Sequence, residues 1–154
     1  MDGYIYALHN PSFIQNEQEM LLKIGKTTRH PEYRLQELYT TGVPTPFNLV
    51  WFRYVKDVDF FEKEIHKKLE EWRVSNSREF FWFPRRSYMR CLENIFMSVY
   101  LTTDDPECLD KALEYVTNFI KEGNSIYGPL TEDMTKGRQM IIDKITSLEK
   151  AGVL

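Results

Sequence analysis

Every run of residues that alternates with the two-residue period of a β-strand lies before Pro84, and beyond it apolar residues recur only at helical spacing. Tyr4 to His9 alternates β-branched and aromatic residues and stops at the turn Asn10-Pro11-Ser12, and Met20 to Gly25 makes a second strand after a polar loop over Ser12 to Glu19. Thr27 or Thr28 is the expected cap of a short helix over Pro31 to Tyr39, in which Leu35 and Leu38 point one way. Gly42-Val43-Pro44-Thr45-Pro46 cannot continue that helix and leads into a third strand, Phe47 to Val55. Asp57 then caps a long amphipathic helix from Val58 to Arg73, with Phe61, Ile65, Leu69 and Trp72 as its core stripe. Arg78 to Pro84 is too apolar for a surface loop and predicts a short closing strand.

Three helices are expected after that point: Ser87 to Leu101, a second opened by Asp105-Pro106 and stopped by Gly123, and a third from Thr131 to Lys150 with Gly137 as a weak point inside it. The predicted fold is α/β in its α+β form, a small mixed sheet flanked by helices with a helical C-terminal extension. The predicted domains are residues 1–85 and 86–154.

Composition narrows the class. Apolar residues make up 42% and aromatics 14%, enough for a real core and too much for disorder. No stretch approaches a membrane span, and Cys91 and Cys108 are too few for a disulfide framework, which predicts a cytoplasmic protein of a cell or of an infected host with no membrane partner. Net charge is −3, with 12 Lys+Arg against 12 Asp+Glu in residues 1–85 and 8 against 11 in residues 86–154. Any contact with a polyanion must therefore come from a local basic cluster in the first half.

The motifs in that half are ordered. Gly3-Tyr4-Ile5-Tyr6 forms the first strand, and Lys23-Ile24-Gly25-Lys26-Thr27 forms the second, where Gly25 lets the backbone turn closely into the next element. Arg34 follows in the first helix, Glu62-Lys63-Glu64-Ile65-His66 in the second, and Arg78-Glu79-Phe80-Phe81 after it. Over about residues 3–84 this set resembles the GIY-YIG nuclease superfamily, and in particular its phage and viral subgroup with Lys-Ile-Gly-Lys-Thr and Glu-x-x-Ile-His. Lys23 stands where the wider superfamily has its second tyrosine.

The resemblance implies a metal-dependent endonuclease with DNA as the usual substrate, and the residue types suit that chemistry. Tyr6 is the expected phenol beside the attacking water, with Lys23 assisting either as a cation or as a base. The planar donors of Arg34 match phosphate oxygens, and Lys26, Thr27 and Arg29 are the nearby candidates for nucleic-acid contact; the plain alternative for Arg34 is an ion pair with Glu37. Glu62 sits at the edge of the buried helix face and is the expected ligand of Mg²⁺ or Mn²⁺, because one carboxylate and several waters suffice for a hard cation; the alternative is a surface pair with Lys63. His66, one turn on, shares that face, while His9 and His30 are weaker candidates. Glu79 can reach the site rim, and the aromatic run from Phe80 to Phe83, like Trp51 and Tyr54, reads as core before it reads as a stacking platform.

Two other classes stand beside the endonuclease. One is a nucleic-acid-binding module of the same fold without efficient cleavage, which the balanced charge and Lys23 favour. The other is an interaction protein in which the acidic helical half engages a protein partner or a second copy.

Overall fold

The computed structural model describes residues 1–13, 16–75, 79–121 and 132–153, and the chain divides into two compact units, Met1–Tyr88 and Met89–Leu154. The first unit follows the predicted order: β1 (Gly3–His9), β2 (Glu19–Thr27), α1 (Glu32–Leu38), β3 (Asn48–Val55), α2 (Val58–Lys68), a 3-10 turn (Glu70–Trp72) and β4 (Phe80–Pro84). The α+β class is as expected, but the sheet is not mixed. Its order is β3-β1-β2-β4, and all of its pairs are antiparallel. β2 and β3 do run in the same direction, yet β1 lies between them, so the β2-α1-β3 step strides across an antiparallel strand and leaves no parallel pair hydrogen-bonded.

The two-residue period sorts β1 into two faces. On one, Tyr6 and Leu8 join Phe47 in a core that Leu35 and Leu38 of α1 cover. On the other, Ile5, Ala7, Leu22, Ile24, Phe81 and Phe83 are buried on the side where α2 meets β1 and β2 with Phe61, Ile65 and Leu69. Phe81 and Phe83 are thus core, as their run suggested, while His66 lies against Phe81 at 5.1 Å and Trp72 against Phe83 at 5.4 Å between ring centroids. Gly3 is required at the start of β1 because a Cβ there would lie 2.4 Å from the Thr27 carbonyl oxygen and 2.7 Å from a Val58 methyl.

Helix ends differ from expectation in two places. Asp57 caps α2 by accepting from Phe60 N–H, but the helix ends at Lys68 and tightens into the 3-10 turn, with Trp72 N–H donating to Leu69 O at 2.8 Å. That tighter turn satisfies end carbonyls and brings Trp72 against Phe83. At α1 neither Thr27 nor Thr28 caps; Pro31 holds the N-cap position without a side-chain bond, and Thr27 Oγ1 instead accepts from Arg29 N–H at 3.2 Å. Asn10, buried behind β1, accepts from Ser12 and from Thr45 Oγ1 and donates to Thr45 O at 2.9 Å, which ties the first turn to the loop before β3.

The second unit holds α3 (Tyr88–Tyr100), α4 (Pro106–Lys121) and α5 (Glu132–Lys150). Helical spacing points Met89, Leu92, Ile95, Phe96 and Val99 of α3 and Leu109, Leu113, Val116 and Ile120 of α4 inward; all are buried except Ile95, Leu113 and Ile120, which are half-buried, and Ile141 of α5 is buried too. Asp105 Oδ1 accepts from Glu107 N–H at 3.0 Å to cap α4, and Lys144 of α5 pairs with Asp104 at 2.9 Å. Arg78, Gly123 and Thr131, which figured in the predicted boundaries, lie outside the described residues. Among the described residues no helix is long and apolar enough to cross a membrane.

Candidate functional site

β4 pairs with β2 only as far as Lys23, with one further bond from Ile24 N–H to Glu79 O at 3.0 Å. The segment from Gly25 to Thr27 therefore runs on beyond β4, and the residues singled out by the sequence gather around it on both sheet faces.

On the α1 face, Tyr6 pairs with Gly25 across the strands, and its ring lies over the glycine so closely that a Cβ there would stand 2.5 Å from the Tyr6 hydroxyl and 2.6 Å from Cζ. The Tyr6 ring is only 1% exposed, and Arg34 Nε donates to its hydroxyl at 3.4 Å. Arg34 also donates from Nη1 to Glu37 at 2.6 Å, and Arg29 pairs with the other oxygen of the same carboxylate. The pairing weighed as the plain alternative for Arg34 is thus present together with the contact to Tyr6. Arg29 stacks its guanidinium over Tyr33 at 5.3 Å, and Thr27 serves the turn between β2 and α1.

On the α2 face, Lys26 donates to Asp59 at 2.6 Å and lies 3.6 Å from Glu62. Glu62 thus meets Lys26 rather than Lys63, and its side chain keeps only 14% of its surface. Burial pushes the Glu62 carboxyl above the usual glutamate value, and the negative charge of Glu79 adds to the rise, against the opposing pull of His66 and Lys26. The hydrogen bond with Asp59 raises the Lys26 ammonium and lowers the Asp59 carboxyl. His66 Nε2 lies 2.9 Å from Ile24 O, so in the neutral ring Nε2 donates and Nδ1 is left as an acceptor. Glu62 and His66 line one shallow cavity of about 550 Å³ with Lys63, Lys67, Glu70 and Arg73.

Lys23 is the last β2 residue paired with β4, opposite Phe80, and so stands just before the segment from Gly25 to Thr27. Its ammonium pairs with Glu79 at 3.0 Å and sits 5.6 Å from the Phe80 ring centre. The structure therefore forms two clusters, Tyr6-Arg34-Glu37-Arg29 and Lys26-Glu62-His66, with Lys23-Glu79 linked electrostatically to the second. Asp59 is the partner that sequence reading did not place. Glu37 was visible as an i+3 neighbour of Arg34, but its bond to Arg29 and the pairing of Asp59 with Lys26 close only when the chain folds.

Residues 3–96 match the model of the T5orf172 domain, and the chain belongs to that family. This is a GIY-YIG-like domain of nuclease type, which gives the chain a nuclease-like or nucleic-acid-binding role. No curated protein and no solved structure matches the chain.

Proposed function

We propose that the domain is a metal-dependent endonuclease that hydrolyses phosphodiester bonds, with DNA as its substrate. The observation that carries this reading is the state of Glu62: a largely buried carboxylate, pushed up by burial and by Glu79, beside Lys26 and His66 in an open cavity. A carboxylate whose charge is disfavoured by burial and by a like neighbour is one that a hard cation would relieve. Among the described residues no group of three or more His, Cys, Asp and Glu side chains is arranged as a metal cage. Glu62 is the residue that would hold Mg²⁺ or Mn²⁺. Once bound, the ion supplies charge neutralisation at the phosphate and at the leaving oxygen.

The protein's own groups do the rest. Arg34 binds the equatorial phosphate oxygens through its planar fork, which requires it to exchange Glu37 for the phosphate. Tyr6 holds the Arg34 stem in place through Nε, and its own proton is directed away from that donor. When Arg34 turns to the phosphate, the phenol becomes the group that orients the attacking water. Lys23 is paired with a carboxylate, which supports its role as a cation beside the phosphate over a role as base. His66, fixed by Ile24 O, lines the same cavity as Glu62 and keeps Nδ1 as an acceptor in its neutral form. Lys26, Thr27 and Arg29 position the strand.

A non-cleaving nucleic-acid-binding module is the second reading. It is favoured by the burial of Tyr6 and by the engagement of Lys23, Lys26 and Arg34 with carboxylates. Plasmid nicking titrated with Mg²⁺ and Mn²⁺, wild type beside Glu62→Ala, separates the two. Cation-dependent nicking that Glu62→Ala abolishes supports the enzyme; equal activity in both would sink the role of Glu62, and binding without any nicking supports the module.

A further inference from the structure

One surface next to the Arg34 cluster has no part in the chemistry above. Tyr54 and Phe52 of β3 project outward at 44% and 36% exposure and meet Tyr4 at 5.5 and 5.9 Å between ring centres. His30 closes the group, 5.2 Å from Phe52 and 5.6 Å from Tyr4, with Nδ1 accepting from Glu32 N–H at 3.3 Å. From His30 the surface continues into a pocket of about 400 Å³ lined by His30, Glu32, Tyr33 and Gln36. Tyr33 is 55% exposed, and Arg29 lies over its ring. Isolated exposed aromatics are ordinary on a protein surface, but rings in mutual contact leading into a polar-ended pocket are not.

We propose that this pocket takes an unpaired nucleobase of the bound strand, so that the domain acts where bases are unstacked and not on uniform duplex. The inference rests on the nuclease reading and extends it to the form of the substrate. The chemistry of the lining is what a base requires: ring faces from Tyr33 and His30 for stacking, an amide on Gln36 that both donates and accepts, and a carboxylate on Glu32 that accepts from an exocyclic amine. Glu32 and Gln36 are one helical turn apart on α1 and Tyr33 falls between them, so all three share one side of the helix. Arg29 lies over the Tyr33 ring, so one guanidinium stands against the pocket lining, where it can meet the phosphate of a strand whose base enters. A base cannot reach such a pocket from inside a duplex without leaving its stack. Glu32 further selects a base that carries an exocyclic amine, cytosine, adenine or guanine, over thymine.

The test is fluorescence anisotropy with the full chain, labelled oligonucleotides and no divalent cation, so that nothing is cut. Wild type is expected to bind a single strand more tightly than the duplex of the same sequence. Tyr33→Ala is expected to weaken single-strand binding about tenfold and to leave duplex binding unchanged. Gln36→Ala should act in the same direction, and Glu32→Gln should erase a preference for dC over dT runs. Tryptophan emission of each variant checks the fold, because Trp51, Trp72 and Trp82 all belong to the first unit. Equal binding of single strand and duplex, unchanged in Tyr33→Ala and Gln36→Ala while Arg34→Ala weakens both, overturns this inference and leaves the nuclease reading standing. Failure of the wild type to bind any oligonucleotide overturns this inference, and absence of cation-dependent plasmid nicking besides overturns the nuclease reading as well.

Discussion

Replacing Gly25 by alanine tests how the second motif is built into the fold. The added Cβ would stand 2.5, 2.6 and 2.9 Å from three atoms of Tyr6, and that ring, 1% exposed, has no room to swing away. Overpacking of this kind costs about 1–3 kcal/mol, and displacing the ring also breaks the Arg34-to-Tyr6 hydrogen bond, worth about 0.5–1.5 kcal/mol. Alanine recovers about 0.5–1 kcal/mol of the backbone entropy that glycine loses in a strand, which leaves a net destabilisation of about 2 kcal/mol. Urea unfolding followed by tryptophan emission reads the first unit alone, since it holds all 3 tryptophans. In a Tyr6→Leu background the clash is gone, so Gly25→Ala should then be neutral or slightly stabilising, giving a coupling energy of about 2 kcal/mol. A cost below about 0.5 kcal/mol in the wild-type background, or the same cost in both, would show that the Tyr6 ring does not confine position 25.

The remaining predictions concern charge and anchoring. Because the Glu62 carboxyl is raised, the folded chain holds its proton more tightly than the unfolded chain does; that contribution is full below the ordinary value of 4.5 and is lost as pH rises through the raised value. Glu62→Gln removes this titration, so the melting temperature of the variant relative to wild type should climb between acid and neutral pH, and a flat difference would contradict the assigned environment. Asn10→Ala removes a buried side chain that ties the first turn to half-buried Thr45 and to Ser12; a loss of about 2–3 kcal/mol in urea unfolding is expected, and a loss within about 0.5 kcal/mol would show that the link is not structural. Tyr115→Phe removes the 2.7 Å hydrogen bond to the buried Glu93 and should lower stability by about 1–3 kcal/mol, read by far-UV circular dichroism as loss of helix at lower urea.

What the sequence disclosed followed from local periodicity. The strands at Tyr4 and Met20, the stripe Phe61-Ile65-Leu69 and the Asp57 cap are properties of neighbouring residues, and each formed. Pairing direction is not local. That β1 would insert between β2 and β3 and make the sheet antiparallel depends on which edges meet. The same distinction runs through the candidate site. Helix phase puts Glu62 at the edge of a buried face and Arg34 beside Glu37, but the company each keeps is long-range. Lys26 meets Asp59 from 33 residues away, and Lys23 meets Glu79 from 56. The burial of Tyr6 depends on α1 folding down over one face of the sheet, which alternation along β1 cannot specify.

The proposed endonuclease requires the clusters on the two sides of the β2 end to serve one reaction. Single-turnover cleavage by Arg34→Ala, by Glu62→Ala and by the double variant, at saturating Mg²⁺ or Mn²⁺, tests it most directly. Each single substitution should slow cleavage by about 100-fold or more, as loss of a group stabilising transition-state charge does. The double variant should be much faster than the product of the two losses, as for groups that act as a unit. Cleavage at the wild-type rate by either single variant, or losses that multiply independently, would contradict it.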